Sequence, residues 1–241
     1  MNKAWLLGSL AALGVAGSTT VMAAGKPAIA VVEFTNQTSS AAWWGGDIGM
    51  QLADVLSNEL SATGDFTMVE RQKINAALAE QDFTRSGRVR AGTGPNTGNV
   101  TGAKYLVTGQ VSAYTEDTSS TGGGINIAGF HVGGGKTQAY VAIDLRVVDA
   151  ETSEVVFSRT VEGRSSGGNV DVGGDLGWGV GGDFQHSKNT PASKAVRAAL
   201  AEASNYLDCA MVKRNGCMDR YNAKEQRRKQ SDEKALDLDG G

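Results

Sequence analysis

Few side chains in this sequence have the types and spacing that support chemistry, and each has a plainer role. The G-G-G-K-T run at 133–137 matches the end of a phosphate-binding loop, in which backbone N–H groups and a lysine cradle phosphates. The first glycine of such a loop belongs at position 130, where Phe130 stands, so the run reads as a hairpin turn. His131 and His186 are the only histidines, and no carboxylate or cysteine stands at metal-ligand spacing beside either. Asp171, Asp175 and Asp183 share one face of an extended segment. They lend acidity to that face, whereas a catalytic pair needs a geometry that spacing alone does not supply. Cys209 and Cys217 are the only cysteines. A small-loop disulfide in an oxidising compartment, two unpaired thiols near a helix end, and a bond between subunits are all open to them. Neither an enzyme nor a cofactor is expected.

The elements around these residues are more informative. Residues 169–180 read N-V-D-V-G-G-D-L-G-W-G-V. Strand side chains alternate with period two, so Val170, Val172, Leu176, Trp178 and Val180 share one face, and aspartate and glycine take the other. Glycine weakens strands in water. An outer-membrane barrel strand has about this length, roughly 9 to 11 residues, with a lipid-facing apolar side and a hydrated lumen side. A second glycine-rich stretch, 122–135, carries Ile125, Ile127, Phe130 and Val132. The strand at 139–148 alternates as well, with Ala139, Val141 and Ile143 on its apolar side. Ile125, Ile127, Ala139, Val141, Ile143 and the apolar set of 169–180 are therefore expected to face lipid, on two hairpins near 111–146 and 155–189. Four strands cannot close a barrel, and open edges do not exist in lipid. Membrane insertion thus implies a homo-oligomer.

The first residues fit this picture. Lys3 precedes an apolar stretch at 4–17, and V-M-A at 21–23 suits a small-residue cleavage site, so 1–23 reads as a signal peptide. No cysteine stands directly after the cleavage site, and no lipid anchor is expected. The formal net charge of −3 becomes about −4 once Lys3 is lost with the leader, which argues against nucleic acid as a partner.

A mixed α+β core is expected around the hairpins. It has a buried strand at 28–34 and a polar loop at 35–46 bearing Trp43 and Trp44. A helix follows at 47–60 with Ile48, Leu52, Val55, Leu56 and Leu60 in one stripe, stopped by Gly64. A short strand at 66–69 leads to a helix at 71–81 with Ile74, Ala77 and Leu78 inward. A solvated loop at 84–102 follows, then strands at 105–114 and 155–161. A last helix opens at Pro191 and runs to about Lys213, with Val196, Ala199, Leu200, Ala203 and Leu207 inward. Residues 24–218 form the domain, and the charged run 219–241 is expected to be disordered.

The V-E-R-Q run at 69–72 with Ile74 and Leu78, the T-G-A-K-Y-L-V-T-G run at 101–109, and L-R-V-V-D at 145–149 with Glu151 and Thr152 carry a resemblance. In their order around two hairpins they resemble the CsgG family of curli secretion channels. That resemblance implies a periplasmic α/β domain whose two β-hairpins join those of other copies in an outer-membrane barrel. It implies export of unfolded amyloid or adhesin-type protein without ATP, with accessory secretion factors as possible partners alongside outer-membrane lipid. The family narrows its pore at a loop between first strand and first helix, which by position implicates Ser39, Trp43 and Trp44. A ring of indoles there would constrict the pore, or one Trp would anchor the loop against a domain. The alternative is a periplasmic LpoB-like binding or regulatory module, in which the glycine-rich segments are loops.

Overall fold

A computed structural model describes residues 25–39, 44–117, 125–127, 130–132, 138–166, 169–171 and 190–236. The signal peptide, Trp43, and the lipid-facing candidates Val172, Leu176, Trp178 and Val180 lie outside the described residues. In chain order the elements begin with β1 (Ala28–Val31), β2 (Thr35–Asn36), α1 (Ile48–Thr63), β3 (Thr67–Met68), α2 (Ile74–Arg85) and β4 (Tyr105–Asp117). They continue with β5 (Ile125–Ile127), β6 (Phe130–Val132), β7 (Gln138–Asp149), β8 (Val155–Ser166), β9 (Asn169–Asp171), α3 (Pro191–Asp208) and α4 (Cys217–Leu236). The fold is α+β, with one open sheet ordered β3-β1-β4-β7-β8-β9 and β2 also pairing with β4. β1 runs parallel to β3 and β4, as a βα crossover requires, and β4, β7, β8 and β9 are each antiparallel to the next.

α1 and α3 cover one face of this sheet. Leu52, Leu56 and Leu60 of α1 are fully buried, with Ile48 and Val55 packed at the margin. The expected stripe thus forms, and Gly64 ends the helix in the left-handed conformation at φ 71°, its N–H bonding the Ser61 carbonyl. α3 starts as its sequence requires: Thr190 Oγ1 accepts the Ser193 N–H at 3.2 Å and Pro191 fills the first turn. Its inward residues Val196, Ala199, Leu200, Ala203 and Leu207 are all buried. Gly163 lets the helix sit directly on β8, because a β-carbon there would overlap the Ala195 carbonyl oxygen.

Three expectations are corrected. Ala139, Val141 and Ile143 are 3%, 0% and 0% exposed, inside the core beneath α3 rather than on a lipid face. Period-two alternation reports that one face is apolar, and a helix layer satisfies it as well as lipid does. The strands near 111–117, 138–146 and 155–166 accordingly belong to the domain sheet. α2 buries no residue: Ile74 is half-buried, Ala77 is exposed and Leu78 is 40% exposed. Finally, the helix Cys217–Leu236 takes in residues 219–236, where disorder was expected. Its Ala, Glu, Lys, Gln and Arg content favours helix, and Tyr221, 4% exposed, fastens it to the core.

Candidate functional site

The ends of four neighbouring strands stand in one row. Asp117 of β4 is in register with Gln138 of β7, Gln138 with Ser166 of β8, and Ser166 with Asn169 of β9. Because the four strands alternate in direction, the chain leaves β4 and re-enters β7 at this row, whereas only residues 167–168 join β8 to β9, and β9 runs back beside β8 with Asp171 opposite Arg164. Within the first, β5 and β6 pair with each other, Ile125 opposite Val132 and Ile127 opposite Phe130, as a ribbon separate from the main sheet. Val170 is in register with Ser165, and Ser165 with Ala139. The backbone of 169–171 therefore extends the sheet that α3 covers.

The loop between β2 and α1 begins with a turn built by one side chain. Asn36 Oδ1 accepts from Thr38 N at 2.9 Å and Thr38 Oγ1 at 2.8 Å, and its amide donates to the Thr38 carbonyl at 3.1 Å. Ser39 is exposed just beyond this turn, and Trp44 is half-buried against the core. Trp44 thus anchors the loop's far end to its own domain.

A second site was not legible as a site in the sequence. Cys209 and Cys217 form a disulfide with Cα atoms 6.1 Å apart. It closes the bend between a π-helical turn, Cys209–Lys213, and α4, where Arg214 takes φ 44° and Lys213 pairs with Asp208. The bend lays α4 along the edge of the sheet. Arg159 of β8 stacks 5.0 Å from the Tyr206 ring and 5.9 Å from the Tyr221 ring, and it donates to the Tyr221 carbonyl and, at 3.2 Å, to Asn222 Oδ1. Lys224 donates to Glu202 at 2.6 Å and lies 3.8 Å from Glu162, whose other oxygen accepts the Tyr140 hydroxyl at 3.0 Å. Burial, reinforced by the Glu162 charge, pushes the Tyr140 phenol well above its ordinary range. The Arg228 hydrogen bond lowers the Glu225 carboxyl despite partial burial.

Between α4 and β7–β8 these residues enclose a cleft of about 720 Å³. Six cationic side chains and four carboxylates line it, an excess of two positive charges in a chain whose formal charge is −3. The available signal was the spacing of Arg220, Lys224, Arg227, Arg228 and Ser231, which lie on one helical face. Among the described residues, no helix is long and apolar enough to cross a membrane.

The family model described as "Curli production assembly/transport component CsgG" matches residues 13–235. A Neisseria meningitidis serogroup B protein, NMB1126/NMB1164, whose name provisionally labels it a lipoprotein, is 30% identical over 161 residues. The match takes in 66% of this chain and 63% of that protein, so the chain spans just under two thirds of the curated relative's length. Among solved structures, a PelC dodecamer from Paraburkholderia phytofirmans is 18% identical over 74% of this chain and 84% of that one, with a TM-score of 0.35. Lipoprotein GNA1162 from Neisseria meningitidis is 18% identical over 61% and 88%, with a TM-score of 0.33. At such scores neither structural likeness bears on function.

Proposed function

Because the chain belongs to the CsgG family, the curli production assembly/transport components, we propose that it is a subunit of an outer-membrane secretion channel. The observation that carries this reading is the paired strand ends Asp117 and Gln138, between which the first glycine-rich segment is inserted. β4 and β7, already paired antiparallel, need no rearrangement to continue outward as one hairpin, whereas β9 has to part from β8 before 169–189 supplies a second. The apolar alternation of 170–180 and the Ile125 and Ile127 positions supply the lipid side. An unclosed four-strand sheet leaves backbone groups unpaired at both edges, so copies must join edge to edge before lipid tolerates them. The channel then assembles as a homo-oligomeric ring around an aqueous lumen that passes unfolded amyloid or adhesin-type protein without ATP. In this reading the β2–α1 loop that bears Ser39 and Trp43 narrows the entrance, with Trp44 holding its far end against the core.

The curated relative named as a lipoprotein favours a second reading, an envelope-located binding or regulatory module without a barrel. One experiment separates the two: negative-stain imaging of detergent-extracted outer membranes, paired with osmotic-shock fractionation. Rings with stain-filled centres are expected. Release of monomers by osmotic shock, with none in the membrane, would overturn the channel and favour the module.

A further inference from the structure

A helix that docks on a domain ordinarily turns an apolar stripe inward. α4 buries only Tyr221 among its described side chains, and the face it turns to the cleft carries Arg220, Lys224, Arg227 and Arg228. The buried or half-buried charges of the cleft lose hydration, and that loss is offset only where opposite charge is close, whereas Arg220 and Arg227 stand exposed at its mouth. Part of the offset is internal: Glu202 pairs with Lys224 at 2.6 Å, Glu225 with Arg228 at 2.7 Å and Glu162 with Arg164 at 3.4 Å. The fourth carboxylate, Asp144, is engaged by the Thr160 hydroxyl at 2.6 Å. Among the described residues, no carboxylate comes within ion-pair distance of Arg220 or Arg227, although Arg220 lies 5.1 Å from the Tyr221 ring and donates weakly, at 3.5 Å, to its hydroxyl. Arg159, also without one, is already committed to the Tyr221 carbonyl and Asn222.

Arg220 and Arg227 are seven residues apart on one helix, a rise of roughly 10 Å. Arginine side chains are long enough to converge across that span, and each presents a planar fork that binds paired oxygens. The excess of two positive charges exceeds what one carboxylate neutralises, and it matches a phosphomonoester, which carries about −1.5 to −2 near pH 7. The cleft's volume is far larger than a bare ion needs and lies in the range of roughly 300–1,000 Å³ typical of small-ligand sites. Hydroxyl groups of Ser112 and Thr160 line its floor.

From this arrangement we propose that the cleft between α4 and the β7–β8 sheet binds a phosphomonoester, held by Arg220 and Arg227. The phosphate belongs either to a free phosphorylated compound or to a lipid headgroup, and the two sources separate by experiment. Detergent-extracted full-length protein is titrated by calorimetry with glycerol phosphate and, separately, with short-chain phosphatidic acid below its micelle concentration. Saturable one-site binding is expected. The pair Arg220→Gln and Arg227→Gln should weaken it at least tenfold, and Arg88→Gln, on the exposed loop after α2, should leave it unchanged. Thermal unfolding of each variant checks that the domain persists, so a loss of binding is not a loss of fold. Comparable affinity for both probes assigns the free phosphate group, and markedly tighter phosphatidic acid binding assigns a headgroup. Binding of neither probe, or equal binding by wild type and the double variant, overturns the proposal. The readout does not depend on ring formation, so it stands or falls separately from the channel reading.

Discussion

Gly163 has backbone of α3 where a side chain would go: a β-carbon there would overlap the Ala195 carbonyl and crowd the Ala199 nitrogen. Backbone atoms cannot swing aside as a flexible side chain would, so helix and strand must separate. Gly163→Ala is expected to cost about 1–3 kcal/mol of stability, read from the urea midpoint at unchanged slope. The tyrosines supply a second prediction at this scale. Burial is the main cause that raises Tyr114, Tyr140 and Tyr221 above their ordinary range. A phenol raised in the folded state contributes stability that is fully present below its unfolded value of about 10 and lost as pH climbs toward the folded value. Stability should therefore hold up to about pH 10 and decline above it. Phenolate absorbance should show Tyr114, Tyr140 and Tyr221 ionising late. Titration of these three at the ordinary value would contradict the packing described.

At the scale of elements, α4 is held by a disulfide at its start and by the Arg159–Tyr221 stack and the Lys224–Glu202 pair along its length. The disulfide closes a loop with a sequence separation of 8. For so short a loop the chain-entropy account gives about 2–3 kcal/mol. Replacing both cysteines by serine should lower stability by that amount and expose α4 to protease before the sheet opens. Equal proteolysis of both forms would mean that the aromatic stack alone holds the helix. α2 shows the opposite balance. Its Leu78 and Phe83 are 40% and 46% exposed, since no element of the described chain stands opposite them. Helical periodicity at 71–81 named the residues of an apolar stripe correctly and located its burial wrongly.

At the scale of the whole molecule, a single pair of substitutions separates the domain core from the proposed membrane segment. Ile143 is fully buried under α3. Ile143→Arg should therefore prevent the domain from folding, leaving protein that is degraded in the envelope. Val172→Arg tests the proposed membrane segment. It is expected to leave the domain folded while adding about 2–4 kcal/mol per subunit at the bilayer midplane, enough around a ring to abolish assembly. Circular dichroism reports the first effect, and membrane fractionation with ring imaging reports the second. Normal rings from Val172→Arg would sink the assignment of 170–180 to the lipid face.

Local chemistry was legible from sequence: the stripe of α1 with its Gly64 stop, the Thr190 and Pro191 start of α3, and the inward residues of α3. These follow from side-chain periodicity and capping, which depend on neighbours a few residues away. The family resemblance was legible too, from short runs spread along most of the chain. Tertiary structure alone decided what lies against each apolar face. It put Ala139, Val141 and Ile143 under a helix, left the α2 face bare, joined Cys209 to Cys217, and turned the charged run after Met218 into a helix over a cationic cleft. Amphipathic alternation states that a face avoids water; whether helix, lipid or another subunit covers it depends on contacts between segments far apart in sequence.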